Sequence, residues 1–175
     1  MSNQKKISYW LDHNNCVAGV SYGWDDFAYA NKGEAAASGN MIGRPLREFI
    51  SGEATWYWML SNLELSRLRN QQIERLCRCD SPLEKRFLQM RIMPESSGII
   101  RVTHTVLKTE PLPAPLEFQT MLFSHKSYLR RCSNCLRLLI GEKWVEVDDV
   151  YDTTDLLEAQ HALPVIYDIC QQCAT

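Results

Sequence analysis

The sequence contains no apolar run that approaches the roughly 20 residues needed to span a bilayer. Its polar start leads into no signal-peptide core, and it contains no internal repeat. These absences argue against a membrane partner and lead us to expect a cytoplasmic protein. In that compartment the seven cysteines of the chain would stay reduced, which favours metal binding over disulfides.

Basic residues are scarce in residues 132–175, where Arg137 and Lys143 stand against eight acidic residues. This segment therefore has a net charge of −6, which leaves +4 for residues 1–131. Because affinity for a phosphate backbone depends on Lys and Arg neutralising it, we do not expect a nucleic-acid partner.

Sequence patterns typical of catalysis are also missing. Ser81 and Ser133 have no G-x-S-x-G context, and the zinc-deaminase pattern is not met. Asp80 has no second acid, histidine or nucleophile nearby in the sequence, and it is expected to occupy a turn and to pair with Arg78 or Arg86. We therefore expect no enzymatic activity.

The strongest chemical signal is a pair of C-x-x-C motifs, separated by 34 residues. The four cysteines that make them up are Cys132, Cys135, Cys170 and Cys173. Each motif can chelate through one tight turn, and four thiolates suit a tetrahedral Zn²⁺ with no open position, which predicts a structural zinc. The intervening residues are too few to bury a core, so the metal would supply much of the folding free energy of this part. A disulfide pair, a redox dithiol and unliganded thiols remain alternatives.

The rest of the chain alternates between strand and helix patterns. Two short apolar stretches within residues 7–21 predict a β-hairpin, and residues 55–70 predict the longest helix, with Thr55 as its N-cap. Further helices are expected at 24–32 and 46–50, and strands at 72–79, 85–93 and 99–108. Three consecutive strands after helices predict an antiparallel sheet with the helices on one face, in an α+β fold.

Four further features stand out: the element order, the stretch M-I-G-R-P-L at 41–46, the stretch R-C-D-S-P at 78–82 followed by Arg86, and the cysteine-containing tail. Together they resemble a PAS domain of a bacterial signalling protein. Related tails often have S-H-G before I-C-P-x-C, whereas this chain lacks that His-Gly and that Pro but keeps the cysteines. The resemblance implies a five-stranded antiparallel sheet with helices on one face, and it implies a homodimer by analogy.

The resemblance also implies a division of the chain and a ligand pocket. Residues 1–110 would form a PAS-like sensor domain, 111–131 a linker, and 132–175 a small Cys₄ zinc-binding appendage. A pocket between sheet and helices, for an unidentified small molecule, would be lined by Trp24, Trp56, Met59, Cys77, Cys79, Met90 and His104. The same residue types at helix and strand spacing are also typical of a packed core.

We therefore predict a non-enzymatic bacterial sensor or interaction module in signal transduction, with a structural zinc and either a signalling protein or a second copy of itself as partner. One alternative is an interaction adaptor whose PAS cavity is filled by its own side chains. Another is a thiol or zinc-release redox sensor.

Overall fold

The structure, a computed structural model, describes residues 6–31, 33–120, 128–151 and 162–174. The chain divides into two compact units. The first unit comprises Met1–Ile50, Met59–Leu76 and Leu88–Leu107, and the second unit comprises Ser51–Trp58, Cys77–Phe87 and Lys108–Thr175. Each unit thus takes residues from several separate stretches of the chain.

The first sheet is antiparallel and has five strands in the order β2-β1-β5-β4-β3. The strands are β1 (Lys6–Leu11), β2 (Val17–Val20), β3 (Ile73–Arg78), β4 (Glu84–Pro94) and β5 (Ile100–Pro111). The predicted hairpin is formed by β1 and β2, in which Tyr9 pairs with Val20. An α+β fold with a five-stranded antiparallel sheet is therefore confirmed.

One face of this sheet is buried, and its residues follow the two-residue period of a strand. In the middle of the sheet, Tyr9 of β1 pairs with Val102 of β5, and both are buried. Other buried members include Ile7 and Leu11 of β1, Val17 of β2, Leu88, Met90 and Ile92 of β4, and Ile100 of β5. The alternation predicted for residues 85–93 and 99–108 thus corresponds to the core of the first unit.

Three α-helices lie between β2 and β3, namely α1 (Trp24–Ala30), α2 (Ser38–Met41) and α3 (Glu53–Arg69). Residues Leu46–Phe49, predicted as a helical turn, form a 3₁₀ helix. Within the first unit, Met59 and Leu63 of α3 are buried, and the Ser66 hydroxyl donates to the Ile92 carbonyl at 3.4 Å. This contact places the C-terminal part of α3 against β4.

The prediction that Thr55 is the N-cap of the long helix is wrong, because α3 already begins at Glu53. Gly52 precedes it with a φ of +86°, and its carbonyl accepts a hydrogen bond from the Trp56 N–H at 3.1 Å. Residues with a Cβ avoid this left-handed backbone conformation, so glycine at position 52 allows the chain to change direction immediately before the helix begins. Thr55 is the third residue of the helix, and its hydroxyl makes a hydrogen bond with the Ser133 hydroxyl.

The second unit contains a mixed five-stranded sheet in the order β6-β10-β7-β8-β9. Its strands are β6 (Phe118–Thr120), β7 (Leu129–Cys132), β8 (Leu138–Ile140), β9 (Lys143–Val145) and β10 (Leu163–Asp168). The strands β8 and β9 form an antiparallel hairpin, whereas β10 runs parallel to both β6 and β7. Two short helices follow strands of this sheet, α4 (Val147–Tyr151) after β9 and α5 (Gln171–Ala174) after β10.

The core of the second unit is a cluster of buried aliphatic residues, namely Leu116, Leu138, Val147, Val150 and Leu163. Leu112, Phe118 and Leu129 are among the partly buried side chains that pack against it. The strand β6 and the buried Leu116 lie within residues 111–131, where the sequence predicts a linker; residues 121–127 of that segment lie outside the described residues. Across the described ranges, the helices are all too short or too polar to cross a membrane.

Candidate metal centre

The four late cysteines lie together in the second unit. The sulfur atoms of Cys132, Cys135, Cys170 and Cys173 all lie within 4.8 Å of one another. Cys132 and Cys170 are buried, whereas Cys135 and Cys173 are partly exposed. These residues, which the sequence predicts as metal ligands, can hold a metal ion.

The parallel pairing of β7 with β10 brings the two motifs to one place. Asp168 of β10 pairs with Cys132 of β7, so each C-x-x-C turn begins where its strand ends. The first turn is closed by the Leu136 N–H donating to the Cys132 carbonyl at 2.9 Å, with Leu136 at a φ of +60°. The second is closed by the Cys173 N–H donating to the Cys170 carbonyl at 3.0 Å.

Backbone N–H groups point at the sulfur atoms, which stabilises thiolates. The Cys170 N–H donates to the Cys132 sulfur at 3.4 Å. A hydrogen bond from the Cys135 thiol, together with backbone N–H groups, lowers the pKa of Cys132 to about 4. The same hydrogen bond raises the pKa of Cys135, since its proton is the one donated.

Cys173 behaves differently from Cys132, because burial raises its pKa to about 11. Without a metal, the readily ionised sulfur of Cys132 therefore lies beside Cys135 and Cys173, which retain their protons. A cation among the four sulfurs would replace those protons, since metals bind cysteine as thiolate. The ligand set fits a soft or borderline metal, because it is made of sulfur alone.

An ion-pair network surrounds the first turn. The Arg137 Nε donates to Glu146 at 2.8 Å, and Arg137 also donates to Gln172 beside Cys173. Glu146 in turn accepts from Arg78 at 2.5 Å, and the Arg78 backbone N–H donates to the Asn134 carbonyl at 2.8 Å. The turn that carries Cys132 and Cys135 is thus anchored by backbone and side-chain contacts.

Residues at the start of α3 contact both motifs, which the sequence does not predict. The hydroxyl groups of Thr55 and Ser133 share a hydrogen bond. The Trp58 indole donates to the Cys173 carbonyl at 2.9 Å. These pairs are 78 and 115 residues apart, so no local pattern in the sequence could have connected them.

The residues predicted to line a ligand pocket are divided between the two units. Trp24, Met59, Met90 and His104 belong to the first unit, and Trp56, Cys77 and Cys79 to the second. In the second unit, Trp56 and Cys77 are partly buried and Cys79 is exposed. Burial raises the pKa of the Cys77 thiol to about 12, so it is neutral at ordinary pH.

In the first unit, the predicted pocket residues make contacts typical of a core. Met59 and Met90 are buried. The Trp24 indole donates to the Ala36 carbonyl at 2.8 Å, and its ring meets the Tyr9 ring edge-on with centroids 5.7 Å apart. The His104 ring stacks on the same tyrosine with the two ring centroids 6.1 Å apart, and burial lowers the pKa of His104 to about 4. A ligand role for these residues stays a prediction.

Comparison of the sequence with models of protein families and with curated proteins found no match. Among solved structures, the fold is similar to a domain of an HTR-like protein from Haloarcula marismortui ATCC 43049, with 13% sequence identity and a TM-score of 0.43. The similarity covers 59% of this chain and 98% of that domain. A likeness at this level carries no conclusion about the family or function of the chain.

Proposed function

We propose that the protein is a non-enzymatic signalling module whose second unit is built on a structural zinc ion. The observation that carries the proposal is the convergence of four cysteine sulfurs within 4.8 Å of one another. They come from turns that follow two adjacent parallel strands, so the sheet itself positions both pairs of ligands.

Zinc is the metal favoured by this ligand set. Four thiolates give a closed tetrahedral site, and Zn²⁺ is commonly bound in that way in structural centres. A site with four protein ligands leaves no position for water or substrate, so it supports folding rather than metal-assisted hydrolysis. The sulfurs are held by backbone N–H groups, such as that of Cys170, which offset the negative charge of the ligands.

The signalling role rests on the resemblance of the sequence to bacterial PAS domains. An α+β architecture with a five-stranded antiparallel sheet is consistent with it. In this proposal, the module acts in the cytoplasm and responds to a small molecule or to a protein partner, which can be a second copy of the chain. Binding would shift the population between two packings and so expose or hide a docking surface.

Metal analysis of the reduced, unchelated protein tests the zinc centre. We expect one zinc ion per chain, and its loss in the double variant Cys170→Ser/Cys173→Ser. The matched control is Cys79→Ser, which removes an exposed thiol outside the cluster and should leave the metal content unchanged. A protein without stoichiometric metal, or a double variant that retains it, would contradict the proposal.

An interaction adaptor is the second candidate, and the contacts of the first unit favour it. Met59 and Met90 are buried, and Trp24 is engaged by Ala36 and Tyr9, as in a cavity filled by the protein's own side chains. Native mass spectrometry separates the two candidates. A reproducibly bound small molecule supports the sensor, whereas a ligand-free and stable protein supports the adaptor.

A redox sensor based on zinc release is a further alternative, since Cys135 and Cys173 are partly exposed. Its test is treatment of the zinc-loaded protein with mild peroxide while released zinc is followed with a chromophoric chelator. Zinc that stays bound under these conditions counts against this alternative.

A further inference from the structure

The first turns of α3 are grouped with the cysteine cluster rather than with the remainder of the helix. Ser51–Trp58 belongs to the second unit, whereas α3 continues to Arg69. Within the second unit, this short segment contacts the cluster through side chains one turn apart. The start of α3 is therefore a structural part of the candidate metal centre.

Each cysteine turn provides one of these contacts. Ser133, between Cys132 and Cys135, shares a hydrogen bond with the Thr55 hydroxyl. The carbonyl of Cys173 accepts a hydrogen bond from the Trp58 indole at 2.9 Å. Because Thr55 and Trp58 are three residues apart on a helix, they lie on the same face and bridge the two turns.

The backbone just before α3 approaches the same region. A Cβ added to Gly52 would lie 3.1 Å from the Tyr167 carbonyl oxygen, so this glycine packs closely on β10 shortly before Cys170. The start of a helix is its weakest part, because its first N–H groups have no partner within the helix. Such a segment depends on contacts from outside the helix, and here these come from turns that carry metal ligands.

We infer that metal binding at the cysteine cluster holds residues 53–58 in helical form, and that metal release frays this part of α3. The inference rests on the zinc binding proposed above. With the metal bound, the two turns are fixed relative to each other, and Thr55 and Trp58 have preformed partners. Without it, the turns are joined only through the pairing of β7 with β10 and can move relative to each other, so the start of the helix loses both hydrogen bonds together.

Amide hydrogen exchange on the full chain, with and without zinc, tests the inference. We expect the amides of residues 56–60 to exchange about tenfold faster after zinc is removed by a chelator. The amides of Tyr9 and Val102, paired inside the first sheet, should change by less than about twofold. If no zinc binds at all, the proposed function fails and this inference falls with it. If zinc binds but exchange at residues 56–60 is unchanged, the inference alone is overturned.

A variant that keeps the cysteines separates the coupling from a general loss of structure. Thr55→Val/Trp58→Phe keeps the shape of the threonine and an aromatic ring at position 58, but it removes the hydroxyl and the indole N–H. With zinc bound, this variant should show the fast exchange of the zinc-free protein at residues 56–60. The matched control is Trp56→Phe, which makes the same aromatic replacement two positions earlier and should exchange like the unaltered protein.

Thermodynamic reciprocity supplies an independent readout. If zinc stabilises the start of α3, the contacts of Thr55 and Trp58 must stabilise bound zinc by the same factor. Competition with a chromophoric chelator should therefore show zinc bound about tenfold more weakly by Thr55→Val/Trp58→Phe than by Trp56→Phe. Equal zinc affinities in the two variants would overturn the inference.

Discussion

Replacement of Arg78 by Met is expected to destabilise the second unit strongly. The Arg78 guanidinium makes two hydrogen bonds to Asp80, from Nε at 3.2 Å and from Nη2 at 2.5 Å. The two side chains are only 4% and 7% exposed. The change Arg78→Met therefore leaves a buried carboxylate that has lost its main partner. Removing one member of a buried ion pair typically costs about 3–5 kcal/mol.

The contacts that remain for Asp80 place the expected cost at the lower end of that range. Arg131 lies 3.6 Å from Asp80, and the Arg86 backbone N–H donates to Asp80 at 3.1 Å. We therefore expect Arg78→Met to cost about 3 kcal/mol, equivalent to roughly a hundredfold change in the unfolding equilibrium constant.

Urea unfolding of the zinc-loaded protein measures this cost. The midpoint should fall while the slope with denaturant stays constant, which would assign the change to stability rather than to compactness. The matched control is Arg130→Met, which breaks an ion pair between the half-exposed Arg130 and Asp168 in the same unit. That pair should contribute no more than about 1 kcal/mol.

A double variant distinguishes the loss of attraction from the cost of an unpaired buried charge. Because Asp80→Asn removes that charge, Arg78→Met/Asp80→Asn should be more stable than Arg78→Met alone. If Arg78→Met costs less than about 1 kcal/mol, or if adding Asp80→Asn destabilises it further, the reasoning about the buried pair is refuted.

Three further predictions concern the metal site, pH and the entry into α3. Cys132→Ser should abolish stoichiometric zinc binding and lower the melting temperature of the second unit. Hydrogen exchange should show that the amides of the first unit remain protected, and unfolding of the entire chain would contradict this prediction. His104 is neutral in the folded protein with a pKa of about 4. Unfolding raises that pKa towards 6.5, so the unfolded chain binds more protons and stability is lost as the pH falls below 6.5. Between pH 7 and pH 5, the His104→Phe variant should lose about 2 kcal/mol less stability than the unaltered protein, as measured by urea unfolding. Equal losses in the two proteins would refute the assignment of this pH dependence to His104. Gly52→Ala should cost about 1–2 kcal/mol in urea unfolding, because its φ is +86° and its Cβ would crowd the Tyr167 carbonyl. Gly39→Ala, where an added Cβ meets no atom, should be nearly neutral, and equal costs at the two positions would contradict the steric argument.

Local sequence patterns were sufficient for much of the first sheet and for the four cysteines of the candidate metal site. The alternation of Leu88, Met90 and Ile92 is visible within a few residues, and all three are buried on one face. The spacing of each C-x-x-C motif is equally local, because both ligands come from a single turn. The pairing of Arg78 with Asp80 also joins residues two positions apart.

Contacts between distant residues account for what the sequence did not predict. The sequence predicts an N-cap at Thr55, whereas the helix begins directly after Gly52. The conformation of Gly52 accompanies its close approach to Tyr167, which is 115 residues later and therefore outside any local pattern. The same distance separates Trp58 from Cys173. Parallel pairing of β10 likewise leaves no trace in a short window, since neither neighbour adjoins it along the chain.

The position of β10 inside the second sheet, between two strands made earlier, has a consequence for the order of synthesis and folding. This strand inserts between β6 and β7, although Asp168 follows its partner Cys132 by 36 residues. Until β10 emerges from the ribosome, β6 has no partner among the described strands and β7 has an unpaired edge, which favours pairing with other chains. Of the described strands in this sheet, a chain cut before Leu163 would therefore keep paired only the antiparallel meander of β7, β8 and β9, together with two of the four clustered cysteines.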